Sequence, residues 1–147
     1  MQGSRSSNFF QQIHTDRRYD NLKRIALSIH NSLMALSIAH ALRHDGGFLV
    51  SDLRSTGEIA LECAQLEADI LLMEATYGIG TTLEDRLRQA ENLRSLRPQC
   101  KVILLCDENS VPEIARQVAL AKRDGHITDF IYSSVSETYL TALLSAM

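Results

Sequence analysis

The sequence predicts an α/β protein, a doubly wound parallel sheet built from five β-α units. Three observations carry that expectation: five short aliphatic runs, five amphipathic stretches that alternate with them, and cap or turn residues at the joints. The runs are Ile25 to Ile29, Phe48 to Val50, Ile70 to Met73, Val102 to Cys106 and Phe130 to Tyr132. Each is too short for a helix and is apolar at successive rather than alternate positions, the pattern of a strand covered on both faces. A parallel sheet acquires that cover because each crossover lays a helix on one side.

The helices follow from spacing. Leu33, Leu36, Ala39 and Leu42 define the first, with Asn31-Ser32 as its cap and Asp45-Gly46-Gly47 as its stop. Ile59, Cys63 and Leu66 define the second, after the capping sequence Ser55-Thr56-Gly57-Glu58. In the third, Leu83, Leu87, Ala90, Leu93 and Leu96 form the stripe and Pro98 ends it, while Glu84, Asp85, Arg86, Arg88, Glu91 and Arg94 read as a solvated outer face. Val111, Ile114, Ala115 and Val118 line the fourth, with Pro112 in its first turn and Gly125 as its stop. The fifth opens at Ser136 and turns Leu140, Leu143 and Leu144 inward. Right-handed crossovers through this order favour a flavodoxin-like strand sequence.

Composition narrows the function classes. A chain of 147 residues, 45% hydrophobic and 22% charged, reads as one globular domain, residues 23–147, behind a polar arm at 1–22 that carries the pair Phe9-Phe10. A formal charge of −3 gives no electrostatic footprint for nucleic acid or an anionic membrane. No apolar run approaches membrane-spanning length. Cys63, Cys100 and Cys106 are an odd number without framework spacing, which favours reduced thiols and a cytoplasmic location.

In an open sheet of this kind, chemistry gathers beyond the carboxyl ends of the strands. The first strand delivers Ile29-His30-Asn31 there, the third Glu74-Ala75-Thr76, the fourth Cys106-Asp107-Glu108 and the fifth Tyr132-Ser133-Ser134. Glu74 stands out as the acid that ends a buried run before a glycine-containing loop. No P-loop, dinucleotide fingerprint or flavin-type phosphate loop follows the first strand. His40 and His44 lie four apart on the first helix, a metal-compatible spacing with no third ligand nearby, and read as solvated residues. Cys106, His30 and Glu74 would suit thiol-based acyl transfer or a transition metal. Yet neither a glycine-rich turn nor an oxyanion-hole signature surrounds Cys106, and a cysteine that ends an aliphatic strand reads as an inert thiol.

Over about 125 residues from Lys23 onward, the chain resembles the receiver domains of two-component response regulators. Thr56-Gly57-Glu58-Ile59-Ala60-Leu61 followed by Leu66-Glu67-Ala68-Asp69-Ile70-Leu71-Leu72-Met73-Glu74 is similar to the family's segment from its second helix into its third strand. Cys100-Lys101-Val102-Ile103-Leu104-Leu105 and Gly125-His126-Ile127-Thr128-Asp129-Phe130-Ile131-Tyr132 resemble its fourth and fifth strands.

The resemblance implies a phosphoacceptor carboxylate, Mg²⁺ held on two first-strand acids, a switch hydroxyl and a lysine. At those positions this sequence has Glu74, Ile29 and His30, Cys106, and Ser133. An aliphatic side chain cannot coordinate Mg²⁺, so the cation site is expected to be lost and no cofactor is expected. Glu74 is one methylene longer than aspartate, a poor fit to in-line attack, and has two readings, a hydrogen-bonded structural carboxylate beside His30 or a permanent charge that mimics the phosphorylated state. Phe130 falls at the family's switch aromatic, although core packing alone accounts for it. The implied function is a catalytically silent receiver domain that acts in transcriptional signalling through protein contacts. A homodimer and a C-terminal DNA-binding output domain outside this chain are the implied partners. A small-molecule or metal-binding rim, or a working receiver with unusual pocket groups, is the alternative.

Overall fold

Successive residues of a strand point to opposite faces, so an apolar run supplies two cores at once. The computed structural model describes residues 22–53, 58–107 and 112–147. Residues 1–21 of the expected arm, Ser55 to Gly57 of the second helix's cap, and Val111 lie outside the described residues. The elements run β1 (Lys23–Ser28), α1 (Ser32–Asp45), β2 (Phe48–Asp52), α2 (Ile59–Gln65), β3 (Ile70–Glu74), α3 (Leu83–Leu96), β4 (Lys101–Cys106), α4 (Pro112–Arg123), β5 (Asp129–Tyr132) and α5 (Glu137–Ala146). The five strands form one parallel sheet in the order β2-β1-β3-β4-β5, the flavodoxin-like order expected from the sequence.

Strand alternation divides the interior cleanly. Ala26, Leu71, Met73, Leu104 and Cys106 pack with α2, α3 and α4 on one face, whereas Ile25, Leu27, Ile70, Leu72, Ile103 and Ile131 pack with α1 and α5 on the other. Burying each of these larger aliphatic side chains contributes roughly 1.5–3 kcal/mol, and together they make the sheet a rigid platform. Lysines from the sheet also fasten α5. Lys23 Nζ donates to the carbonyls of Leu144 and Ser145, and Lys101 Nζ to that of Met147 at 2.6 Å, so orphan carbonyls at the helix end find cationic partners.

Three helix faces differ from those the spacing predicts. In α1 the buried set is Ala35, Ile38, Ala39 and Leu42, while Leu33 is 78% and Leu36 59% exposed. The Asn31 side chain accepts from the Met34 N–H and fixes the start of the helix, after which the i, i+3, i+4, i+7 series from Ala35 meets the sheet. The stripes of α2 and α3 stop short of Leu66 and Leu96, both of which are exposed, because the chain there is already turning toward the next strand. The third difference is chemical: Arg86, expected on the solvated side of α3, is buried.

The α1 assignment makes a direct contrast. Ile38→Ala is expected to cost about 2–4 kcal/mol in urea unfolding, and Leu36→Ala less than about 0.5 kcal/mol.

Candidate functional site

Beyond the strand ends, the loose chain offers unpaired N–H groups, and these decide what becomes of Glu74. The register pairs Ser28 with Met73, which brings the next residues, Ile29 and Glu74, to the same level at the sheet's carboxyl edge. Ile29 turns into the α1/α5 core and His30 is exposed. What His30 supplies is its main chain: its N–H donates to Glu74 Oε1 at 3.0 Å, and the Asn31 N–H, at the N-cap of α1, donates to the same oxygen at 3.3 Å. A carboxylate at a helix N-terminus, held by backbone N–H groups, is in a favourable field.

The second charge at the rim comes from α3. Thr82 caps this helix through a reciprocal pair with Asp85, whose carboxyl is held below the usual carboxylate range by the Thr82 hydroxyl bond. The next residue, Arg86, is 1% exposed and lies between the ends of β1 and β3. Its Nε donates to the Glu74 carbonyl at 2.8 Å, Nη2 to the Ser28 carbonyl at 2.9 Å, and Nη1 to Ser28 Oγ and Gln89 Oε1, both at 2.9 Å. Burial lowers the Arg86 pKa to about 10 while the charges of Glu74 and Asp85 oppose the shift, so the group stays cationic at neutral pH.

Glu74, Cys106 and Ser133 do come together. They line a pocket of about 260 Å³ with Asn31, Met34, Thr76, Tyr77, Leu83, Leu105 and Asp107 among its walls. Ile29 and His30 are not part of that lining. Cys106 is 3% exposed and its thiol is pushed up to about 11 by desolvation, which leaves little thiolate for nucleophilic work. The trio of Cys106, His30 and Glu74 therefore does not assemble for acyl transfer, and among the described residues no three His, Cys, Asp and Glu side chains group to hold a metal ion. The two first-strand positions do not fit Mg²⁺ either. One position expected to hold a first-strand acid packs as Ile29 in the core, the other is an imidazole directed to solvent, and a buried guanidinium already supplies positive charge next to Glu74. Phe130 is half-buried, edge-to-face with Tyr132 at 6.0 Å, with the Lys122 ammonium 5.8 Å from its ring centre.

The geometry has close parallels among solved structures. A response regulator from Thermotoga maritima matches with a TM-score of 0.68 at 18% identity over 85% of this chain and 96% of that one. The fold is that of a response-regulator receiver domain. The same receiver fold is shared by an orphan response regulator of H. pylori (TM-score 0.67, 17% identity, 86% and 96% coverage) and by a CheY-like protein from Pseudomonas aeruginosa PAO1 (0.63, 18%, 84% and 98%). No protein-family model matches the sequence, and no curated protein does. The strand order and the placement of α1 and α5 opposite α2, α3 and α4 are thus those of the receiver fold.

Spacing alone put Arg86 on the solvated face of α3, and it gave Ser28, inside the first aliphatic run, no role at the rim. A signal was present, since Leu83, Arg86, Ala90 and Leu93 are the buried residues of α3 and their separations of three, four and three are helical. Removing the guanidinium leaves two buried carbonyls without their donors and a void beneath Glu74. Arg86→Ala is expected to lose about 3–5 kcal/mol in urea unfolding, with Arg86→Lys restoring only part because an ammonium cannot span both strand ends in one plane.

Proposed function

We propose that this chain is a cytoplasmic, non-enzymatic signalling module of receiver fold that works without phosphorylation, by presenting its surface to other proteins. The observation that carries the reading is the state of Glu74, whose Oε1 accepts from the His30 and Asn31 main-chain N–H groups. With Ile29 packed in the core, His30 exposed, and Cys106 and Ser133 beside the carboxylate, the two first-strand acids, the switch hydroxyl and the lysine are all replaced, and Glu74 and Asp107 are the carboxylates among the described lining residues. Positive charge beside Glu74 is supplied from within by Arg86. A module of this kind regulates by which partner it holds, and a second copy of the chain and a DNA-binding output domain are the first partners to seek. The likeness to an orphan response regulator supports the same reading at the level of the fold.

An NMR titration with Mg²⁺ and beryllofluoride tests it. The expected result is no saturable shift at Glu74, Cys106 or Ser133. Saturable shifts there, or an acyl phosphate formed from acetyl phosphate, would overturn the reading.

A further inference from the structure

One face of α1 is spent on the core, and the opposite face carries an ordered series of its own. Leu33, Leu36, His40 and His44 are all exposed, and their separations of three, four and four residues set them along one stripe of the helix. The two histidines stand one turn apart with their rings stacked, 6.3 Å between centres and 18° between planes. Imidazoles at i and i+4 on one helix face can each turn a ring nitrogen to a single ion, the arrangement by which helical histidine pairs hold zinc.

The surroundings favour a cation. His40 and His44 border the groove between α1 and α5, whose other ionisable lining groups, Asp45 and Glu137, are carboxylates. The Ser37 hydroxyl holds Glu137 against α1, donating to its Oε1 at 2.6 Å, and Arg43 is drawn aside to the Val50 carbonyl. Two imidazoles still leave such an ion half-coordinated. Zinc in a closed structural site takes four ligands in a tetrahedron, and among the described residues no third His, Cys, Asp or Glu joins the pair. A second copy related by a two-fold axis brings an identical pair and makes the number four.

We infer that His40 and His44 are half of a site for a zinc-class divalent ion, and that a second copy of this chain closes it. The rest of the stripe says how the copies lie. With the two α1 helices side by side and parallel, each residue faces its own counterpart, so four histidines surround the ion while Leu33 and Leu36 of both copies meet along the same seam and leave water. Imidazole selects ions of the zinc, nickel and copper group over hard Mg²⁺, so this site is chemically separate from the rim. The inference rests on the homodimer proposed above and supplies its face and its ligand.

Sedimentation velocity of the untagged full chain, stripped with EDTA and then titrated with Zn²⁺ at about 50 µM protein, tests it. The expected result is a shift from monomer to dimer that is complete at one zinc per two chains and is reversed by EDTA. His40→Ala, His44→Ala and Leu36→Arg, all at exposed positions, are each expected to weaken the zinc-driven dimer at least about tenfold with circular dichroism unchanged. His30→Ala and His126→Ala are expected to leave it as it is. Zinc bound at one ion per chain without a dimer, a zinc-driven dimer that survives loss of both His40 and His44, or association that zinc does not alter would each overturn the inference. The same sample separates this claim from the role it rests on. A dimer indifferent to zinc and EDTA sinks the metal bridge and leaves the homodimer standing, whereas dimerisation driven by Mg²⁺ and beryllofluoride sinks the phosphorylation-independent reading.

Discussion

Taking a guanidinium out of water costs several kcal/mol unless nearly every N–H finds an acceptor, and in this protein that requirement shapes the carboxyl edge of the sheet. Arg86 meets it with four hydrogen bonds, two to main-chain carbonyls at the ends of β1 and β3, one to Ser28 Oγ and one to Gln89. The planar fork can do this only if the two strand ends stand at a fixed separation and α3 begins at a fixed place. The capping box of Thr82 and Asp85 sets that beginning. Glu74 is then left with a cation on one side and the N–H groups of His30 and Asn31 on the other.

The functional consequence is one of charge closure. Glu74 has a cation within the fold, Arg86, and the two first-strand positions beside it, Ile29 and His30, supply neither of the acids that a divalent cation would use there. Regulation by phosphoryl transfer depends on the opposite arrangement, an excess of negative charge that a cation neutralises and a nucleophile placed for attack. On the function proposed above, the receiver fold serves as a scaffold and its edge as a contact surface.

Much of the fold was legible because parallel strands buried on both faces announce themselves as aliphatic runs, and the strand order followed from crossover handedness. The cap at Asn31 and the stops at Gly46 and Gly125, both with positive φ, were legible for the same local reason. The helix faces were less so. Leu33 and Leu36 have the spacing of a core stripe with Ala39 and Leu42, yet the face that meets the sheet runs through Ala35 and Ile38 instead. Arg86 was missed because charge suggests solvent, and periodicity reports position without chemistry. That Glu74, Cys106 and Ser133 share a pocket followed from topology. That His30 acts through its backbone and leaves its ring in water did not, since main-chain donors carry no mark in a sequence.

The central claim, that Arg86 is a buried cation bonded to the ends of β1 and β3, is tested most directly by NMR of its guanidinium. Hydrogen exchange at Arg86 Nε is predicted to be slow at neutral pH, far slower than at the exposed Arg88, with the Nε–H tied to the Glu74 carbonyl. Exchange as fast as that of Arg88 would contradict the account.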